Sequence, residues 1–484
     1  MNTQKQKPIY VYNEMTKQKE IFAPLKTGEV SMYVCGPTVY DYFHVGNARP
    51  FVLFDFIRRF LEYMGYKVNY LLNFTDIDDK MIQRANRDNI TVKELADKFI
   101  AEYYKDAQGL GISPATVHPK ATEHMKEIID IIEILIEKGH AYPARKDANG
   151  NSDVYFSTKS FKEYGKLSKM VTDDLEMGDR VDASIVEEKN DPLDFALWKS
   201  KKEGEPSWES PWGRGRPGWH IECSAMVKKY LGDTVGFHCG GKDLMFPHHE
   251  NEIAQSEGCS GKQFVRYWLH NGFISIDSKK MSKSLGNFFT VREAAAVCGY
   301  ESIRMFMLMS HYRSPLNYSG DILVQSRSAL DRIKTARGTL KFIAENGTEQ
   351  GDDNESEFLQ TLPVYRERFV EAMEDDFNTA DAISVIFELV RETNSIAAGP
   401  DPSKTFAQAA LEIFDELTGV LGLLYADSED ESLDSEVEAL IEARQKARTE
   451  KNWADADKIR DKLGEMGIVL EDTPQGVRWH RNNA

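Results

Sequence analysis

The sequence lacks an excess of positive charge and a long apolar run. Its 60 Lys and Arg residues face 78 Asp and Glu residues, which gives a net charge of -18 over 484 residues. Bulk charge therefore does not indicate a nucleic-acid partner, and any such surface must be local. There is no apolar run of about 18 residues and no N-terminal apolar region of the signal-peptide type. We therefore expect a cytoplasmic chain that is neither secreted nor associated with a membrane.

Cysteines are also few, and their number is odd. This argues against a disulfide framework and leaves metal binding or simple burial as their roles. The length predicts roughly three domains, and we find no internal repeat. The five cysteines are Cys35, Cys223, Cys239, Cys259 and Cys298.

The strongest local pattern runs from Tyr33 to Pro50 and crosses from a predicted strand to a predicted helix. Residues 30–34 are apolar and β-prone, residues 51–64 carry apolar side chains at helical spacing, and 68–72 indicates a second buried strand. This predicts a βαβ unit, and open parallel sheets bind ligands at such strand-to-helix loops. The free N–H groups at a helix start suit phosphate, and Gly46 allows close approach of a ligand. His44 and Asn47 add polar donors.

Several further elements follow in order along the chain. The polar residues of 73–80 follow the second strand and should lie beside the first loop. Thr91 and Glu94 predict a capping box for a helix that ends at Gln108. Another helix is expected from about Pro119 to Lys138, and then 141–220, rich in Gly, Pro, Asp and Lys, predicts an insertion. Strands are expected to resume at 235–239 and 267–276.

A metal site can be assembled from three separate segments. If Pro247 is the first residue of a helix, His248 and Glu252 lie one turn apart on the same face. Together with Cys35 and Cys223 they offer sulfur, nitrogen and oxygen ligands, a mixture that suits zinc best. Cys239 is a rival ligand that the spacing leaves open.

Two signatures identify the chain as similar to class I aminoacyl-tRNA synthetases. Residues 280–284 form an intact KMSKS signature in a loop rich in lysine and serine, and His44-Val45-Gly46-Asn47 resembles the HIGH signature. Four further motifs resemble those of cysteinyl-tRNA synthetases and follow that family's order over nearly the whole chain. They are Cys35-Gly36-Pro37-Thr38, residues 73–80, residues 218–223 and residues 246–252. Asn47 replaces the second histidine of HIGH, but asparagine still donates to phosphate or ribose.

The resemblance implies a role for each motif. It implies one Zn²⁺ per chain, held by Cys35, Cys223, His248 and Glu252, which the thiolate of L-cysteine joins. Four protein ligands are usual for a closed structural zinc, so either Glu252 is a weak ligand or the site expands to five. The implied cysteine pocket consists of Gly36, Thr38, Thr75 and Trp219. The implied ATP contacts are His44, Gly46, Asn47 and Lys283, with Mg²⁺ accompanying ATP, and the implied catalytic residues are His44, Asn47, Lys280 and Lys283.

The C-terminal part of the sequence is helical in pattern. Helices are expected near 321–343, 362–374 and 381–396, with an acidic loop at 345–357 and an acidic linker at 427–434. The most basic helical face follows, at 443–457, where arginine and tryptophan can stack on unpaired bases. The resemblance implies that this end reads the anticodon through Arg448, Trp453, Asp457 and Asp472.

We therefore predict an α/β fold with a Rossmann-type parallel-sheet catalytic domain, followed by an α-helical bundle and a small anticodon-binding domain. The catalytic domain is predicted in two halves, at 1–115 and 223–276, with a connective insertion between them at 116–222. The remaining ranges are 277–320 for the KMSKS loop and stem-contact region, 321–426 for the bundle and 427–484 for the C-terminal domain. A monomer is expected.

The predicted function is cysteine–tRNA ligase, which activates L-cysteine with ATP and transfers it to tRNA(Cys). One alternative is a ligase that passes cysteinyl-adenylate to a small amine, against which the long C-terminal part argues. The other is a non-catalytic zinc-containing RNA-binding protein. The intact signature at 280–284 argues against that alternative, because RNA binding needs no triphosphate chemistry.

The first prediction concerns Lys283. An ammonium group that meets the departing pyrophosphate as its charge develops favours the transition state over bound substrates. Lys283→Ala should therefore lower kcat for adenylation by roughly 30- to 1,000-fold, with small changes in the KM values for cysteine and ATP. Cysteine-dependent ATP–pyrophosphate exchange measures this. Rates within about threefold of wild type would identify Lys283 as a solvated surface lysine.

Overall fold

The structure is a computed structural model, and it describes residues 7–170, 189–276, 279–280, 289–425, 431–466, 468–473 and 476–481. The chain forms two compact units. The sheet unit comprises Met1–Val297, Tyr312–Ser319 and Asp375–Phe377, and the helical unit comprises Cys298–His311, Gly320–Glu374 and Asn378–Ala484. Among the described residues, no helix has both the length and the hydropathy that crossing a bilayer requires.

The core of the sheet unit is a four-stranded parallel sheet with the strand order β10-β9-β3-β4. Its central strands are largely buried, β9 over six of its seven residues and β3 over its last three. Helix α1 connects β3 to the parallel β4, so the predicted βαβ unit is confirmed. The strands are β3 (Glu29–Val34), β4 (Lys67–Leu72), β9 (Val235–Gly241) and β10 (Val265–Asn271).

Helix α1 (Val45–Tyr63) begins six residues before the predicted start at residue 51. His44 caps it, because its side chain accepts a hydrogen bond from the backbone N–H of Asn47. Pro50 lies inside the helix and leaves the carbonyl of Gly46 without its usual helical donor. Because of this proline, the sequence pattern did not indicate the early start of α1. The early start places the His44–Asn47 motif at the N-terminus of α1.

The next helices follow the sequence pattern with one exception. They are α2 (Asp79–Asp88), α3 (Val92–Gly109) and α4 (Met125–Glu137). The predicted capping box of α3 is present, since Thr91 and Glu94 each accept from the other's backbone N–H. Helix α4 begins later than predicted, because the preceding segment pairs with the loop after β4. There the N–H of Phe74 donates to the carbonyl of Pro119 at 2.8 Å, and Asp76 accepts from Thr122.

The remaining strands of the sheet unit form small antiparallel or mixed sheets. Strands β5 to β8 pair in sequence order as one antiparallel sheet, at the place where the insertion is predicted. Their bounds are β5 (Ala141–Pro143), β6 (Val154–Phe156), β7 (Phe195–Ser200) and β8 (Gly215–Pro217). The others are β1 (Tyr10–Asn13), β2 (Gln18–Ile21), β11 (Ile274–Ile276), β12 (Lys279–Lys280) and β13 (Leu316–Tyr318).

Two details differ from the sequence predictions around the second half of the sheet. The predicted strand 267–276 is divided at Gly272 and Phe273 into β10 and β11. Pro247 does not begin a regular helix, since it lies in an irregular helical turn at Met245–His249 that precedes α6. The helices here are α5 (Ile221–Leu231), α6 (Glu250–Ser260) and α7 (Val291–Cys298).

The helical unit confirms the predicted α-helical character of the C-terminal part. The acidic loop is shorter than predicted, because Asp352 accepts from the N–H of Glu355 at the start of α10. Strands β14 (Ile468–Thr473) and β15 (Gly476–Arg481) form an antiparallel hairpin at the end. The helices are α8 (Tyr300–Leu308), α9 (Gly320–Asn346), α10 (Asp353–Glu374), α11 (Thr379–Ala397), α12 (Lys404–Val420), α13 (Glu431–Thr449) and α14 (Trp453–Glu465).

The second prediction concerns a buried carboxylate that joins distant parts of the sheet unit. Asp376 accepts from the N–H of Tyr12 at 2.7 Å, from the hydroxyl of Tyr312 at 2.9 Å and from Arg313. Asp376→Asn should lower the free energy of unfolding by about 3 kcal/mol, because Arg313 loses its buried counter-charge. Urea-induced unfolding measures this difference.

Asp375→Asn is the matched control. Asp375 is an exposed neighbour that pairs with Lys19 at 2.6 Å, and such a surface pair contributes at most about 1 kcal/mol. Equal losses of unfolding free energy in the two variants would contradict the role given to Asp376.

Candidate active site and metal centre

The loops that follow β3 and β4 lie side by side at the carboxyl edge of the sheet. The N–H of Val39 donates to the carbonyl of Thr75, and the N–H of Thr75 donates to the carbonyl of Pro37, each at 3.2 Å. Thr38 and Thr75 are thus bridged through their backbones. The sequence prediction that the polar segment after β4 adjoins the first loop is confirmed.

Gly36 is required by the close approach of these two loops. A Cβ atom at this position would lie 1.5 Å from the carbonyl oxygen of Asn73. The Asn73 side chain also fixes the loop, because its Oδ1 accepts from the N–H of Gly36 and from the hydroxyl of Tyr33, each at 2.9 Å. Any larger residue would separate the two loops.

His44 has a defined role at the N-terminus of α1. Its Nδ1 accepts from the N–H of Asn47 at 3.1 Å, so a neutral His44 carries its proton on Nε2. That nitrogen is then a donor, which suits a phosphate oxygen. A cavity of about 230 Å³ adjoins this helix start. Its lining residues are Pro37, Thr38, Val39, Tyr40, Asp41, Tyr42, Phe43, His44, Asn47, Lys80, Phe99 and Tyr103.

Four buried side chains from three segments converge beside these loops. The possible ligand atoms of Cys35, Cys223, His248 and Glu252 all lie within 4.8 Å of one another. The Cys223 Sγ lies 3.6 Å from His248 Nε2, which in turn lies 2.9 Å from Glu252 Oε1. The Cys35 Sγ lies 3.5 Å from Glu252 Oε1. Two sulfurs, one imidazole and one carboxylate form a donor set that fits zinc.

The structure adds two histidines that the sequence analysis did not select. His238 and His249, with Cys35 and Glu252, form a second group whose ligand atoms lie within 4.8 Å of one another. His238 Nε2 lies 2.7 Å from Glu252 Oε2, and His249 Nε2 lies 3.3 Å from Cys35 Sγ. The sequence carried no signal for His238, because its place on the same sheet face as Cys35 depends on its pairing with Tyr33 in the register of β9 and β3.

The same alternation separates Cys239 from the candidate ligands. Cys239 pairs with Val34 in the register of β3 and β9, one residue out of phase with His238. Its side chain therefore points to the other face of the sheet. It belongs to neither of the two groups of possible ligands found in the described part of the chain.

Burial and charge set the protonation of the four side chains. A hydrogen bond from Cys35 lowers the pKa of Cys223 to about 7, whereas burial raises the pKa of Cys35 well above its usual value. Burial opposes the charge on His248, but attraction to Glu252 raises its pKa to about 10. Burial likewise opposes the charge on Glu252, and attraction to His238 and His248 lowers its pKa to about 2.

The predicted cysteine-pocket residues lie around this cluster. Gly36 follows Cys35 directly, and Thr38 and Thr75 form the bridge described above. The Trp219 ring centroid lies 4.6 Å from that of His248, and the Trp219 side chain is 43% exposed. Trp219 can therefore contact a ligand that reaches the cluster from solvent.

Other predicted site residues lie elsewhere or outside the described residues. Lys283 is outside them, and only the backbone of Lys280 is described, in β12. Asp472 is likewise described only by its backbone, in β14. In the helical unit, Arg448 in the last turn of α13 and Trp453 at the first residue of α14 flank one short turn.

The exposure of the C-terminal side chains suits contact with a large partner. The Trp453 side chain is 60% exposed, although large aromatic side chains are usually buried. Asp457 is exposed as well and pairs with Arg460 at 3.2 Å. This end of the helical unit therefore presents an aromatic ring and charged groups together.

Three family models match the chain. The model for the tRNA synthetases class I (C) catalytic domain matches residues 21–328, the DALR domain matches 368–425, and the cysteinyl-tRNA ligase anticodon binding domain matches 430–479. The first match alone covers more than half of the chain.

Solved structures with the same fold include three synthetases. Methionyl-tRNA synthetase of Mycobacterium tuberculosis, solved with methionyl-adenylate, is 15% identical with a TM-score of 0.61, over 82% of this chain and 90% of that one. LeuRS of Agrobacterium radiobacter is 11% identical, covers 83% and 86%, and has a TM-score of 0.58. A putative arginyl-tRNA synthetase of Campylobacter jejuni is 11% identical, covers 83% and 94%, and has a TM-score of 0.55.

The chain belongs to the class I aminoacyl-tRNA synthetases, in the family with the class I (C) catalytic domain. Together with the anticodon-binding domain, this catalytic domain defines the enzyme as a cysteine–tRNA ligase. The predicted fold class and function are confirmed.

The third prediction concerns protons in the metal-free site. The pKa values of Cys35 and His248 are both raised, so each side chain carries a proton near neutral pH. Zinc, in contrast, binds the deprotonated forms. Loading zinc near pH 7.5 should therefore release about two protons per chain, and zinc affinity should rise with pH. Calorimetry in two buffers of different ionisation enthalpy measures the number. Zinc binding without proton release would show that both groups are already deprotonated.

Proposed function

We propose that this ligase binds L-cysteine through a zinc ion held by Cys35, Cys223, His248 and Glu252. The observation that carries the proposal is the convergence of these buried side chains within 4.8 Å. A zinc ion held by these residues would supply Lewis-acid chemistry, which lowers the pKa of a substrate thiol and favours its thiolate form. The side chains of the enzyme add to the selectivity for cysteine, because they position the amino acid and exclude water from it.

The pocket residues hold the rest of the amino acid. Gly36 keeps the first loop against the loop after β4, because a side chain at this position would collide with Asn73, and the backbone of this loop then lies beside the substrate. Thr38 and Thr75 offer hydroxyl groups from two adjoining loops, and Trp219 covers the outer side of the cluster with an indole ring. Together these groups place the carboxylate of cysteine toward the N-terminus of α1.

ATP, accompanied by Mg²⁺, binds at the N-terminus of α1. His44 Nε2 and the Asn47 side chain donate to phosphate oxygens, and the small Gly46 allows the triphosphate to approach the backbone. Lys280 and Lys283 neutralise the charge that develops on pyrophosphate. No enzyme nucleophile is needed, since the carboxylate of cysteine attacks the α-phosphate directly. Catalysis then consists of positioning and electrostatic stabilisation.

The second substrate is tRNA(Cys), whose terminal adenosine receives the cysteinyl group. Arg448, Trp453, Asp457 and Asp472 contact the anticodon, with stacking on Trp453 and charge attraction by Arg448 as the main contributions. The exposed Trp453 ring and the match to an anticodon-binding domain support this assignment. They also favour tRNA over a small amine as the acceptor.

The fourth prediction tests the metal ligands with a matched pair of cysteine variants. Cys223→Ser should lose both bound zinc and cysteine-dependent ATP–pyrophosphate exchange, because serine at neutral pH offers a poor ligand. Cys239→Ser is the control, since Cys239 is equally buried in the same sheet region but faces away from the cluster. Atomic absorption and exchange rates are measured on the same preparations. Full zinc in Cys223→Ser with loss of zinc in Cys239→Ser would contradict the proposed ligands.

A further inference from the structure

Arg49 lies in α1, two residues after Asn47, and is fully buried. Its guanidinium group donates four hydrogen bonds, and each of them ends on a backbone carbonyl. Nη1 donates to Gly272 at 2.7 Å and to Phe273 at 3.0 Å, while Nη2 donates to Tyr312 at 3.3 Å and to Ser314 at 2.6 Å.

The four carbonyls belong to two segments that support one small sheet. Gly272 and Phe273 separate β10 from β11, and residues 312–314 lead into β13. Strand β11 pairs with β13 on one side and with β12 on the other, which places the backbone of Lys280 opposite Ser275. Arg49 therefore holds the base of the sheet that carries the first residue of the KMSKS signature.

The two segments are pressed together at Gly272. Its N–H donates to the carbonyl of Tyr312 at 3.0 Å, and a Cβ atom at this position would lie 2.4 Å from the carbonyl oxygen of Ser314. Three of the four carbonyls bound by Arg49 thus belong to residues that contact one another at Gly272. A side chain at Gly272 would move these acceptors away from the guanidinium.

The chain that follows residues 281–288 is also tied to the start of α1. The N–H of Val45 donates to the carbonyl of Phe289, and the N–H of Val291 donates to the carbonyl of Phe43, each at 3.2 Å. His44 lies between these two bonds and is bridged to Thr290. The described flank after the second signature is therefore bonded directly to residues within or next to the first signature, whereas the flank before it is connected through β11 to the segment that Arg49 binds.

A buried guanidinium has more than a packing role in this arrangement. Its planar fork serves several acceptors in fixed directions, whereas lysine offers one compact charge and cannot reach four carbonyls in two segments. Hydrogen bonds from a charged donor are also stronger and more directional than neutral ones. Arg49 thus fixes the distance between α1 and the two segments whose carbonyls it binds, rather than neutralising a carboxylate.

We infer that Arg49 is a positioning residue for adenylation, which fixes the base of β11, β12 and β13 relative to the helix start that bears His44 and Asn47. The inference rests on the proposed ATP site. In this role Arg49 aligns the groups that contact ATP, and it takes no part in binding cysteine or the metal ion.

The test is Arg49→Lys, assayed by cysteine-dependent ATP–pyrophosphate exchange with active sites counted by adenylate formation. The rate per active site should fall at least about tenfold, while the KM for cysteine and the zinc content stay within about twofold of wild type. Arg304→Lys is the matched control, because Arg304 is a buried arginine of the helical unit that donates to the carbonyl of Leu421 at 2.9 Å. It should lower stability with the rate per active site unchanged.

Gly272→Ala provides a second route, because it displaces the acceptors and leaves Arg49 in place. It should show the same selective loss of rate, and the double variant should lose little more than either single variant, as expected for one shared interaction. An unchanged rate per active site in the folded Arg49→Lys or Gly272→Ala variant would overturn the inference. Absence of exchange in the wild-type enzyme would instead contradict the proposed function itself.

Discussion

The candidate site depends on a carboxylate held between two histidines inside the protein. Glu252 lies on α6, and its Oε1 is 2.9 Å from His248 Nε2 while its Oε2 is 2.7 Å from His238 Nε2. His238 is in turn fixed in the sheet, with its ring stacked on Trp268 at 4.4 Å and against the edge of Tyr33. A buried charge without partners is strongly unfavourable, and attraction to His238 and His248 lowers the pKa of Glu252 against the effect of burial.

This fixed carboxylate orients the possible metal ligands, and its negative charge is suited to binding a metal cation. His248 lies in the turn before α6, Cys223 lies in the first turn of α5, and Cys35 follows β3, so three separate elements bring the candidate ligands together. The second carboxylate oxygen is taken by His238, which holds Glu252 in one rotamer, as outer-shell partners of metal ligands commonly do. The position of the Glu252 carboxylate is therefore fixed by side chains of the protein itself.

Much of the fold was predictable because its signals are local. The βαβ unit around α1 and the capping box at Thr91 follow from periodicity and helix-terminal chemistry, and both are present. The start of α1 was placed too late because Pro50 resembles a helix start, and the break at Gly272 was missed because it depends on contact with Ser314. Such contacts between remote segments leave no periodic signal in the sequence.

The candidate site was predictable only in part for the same reason. Cys35, Cys223, His248 and Glu252 were selected with help from family motifs, and the structure brings them together. His238 was not selected, because its role depends on the register of β9 against β3, which spacing alone does not fix. Arg49 was missed as well, since its partners are backbone carbonyls, which any residue supplies.

The central claim is that the metal centre recognises the thiol of the substrate. X-ray absorption at the zinc edge tests it most directly, because it counts the sulfur atoms bound to zinc. If Cys35 and Cys223 hold the ion as proposed, zinc in the free enzyme should show two sulfurs, and added L-cysteine should supply a third, whereas added serine should not. An unchanged sulfur count in enzyme saturated with cysteine would contradict the account.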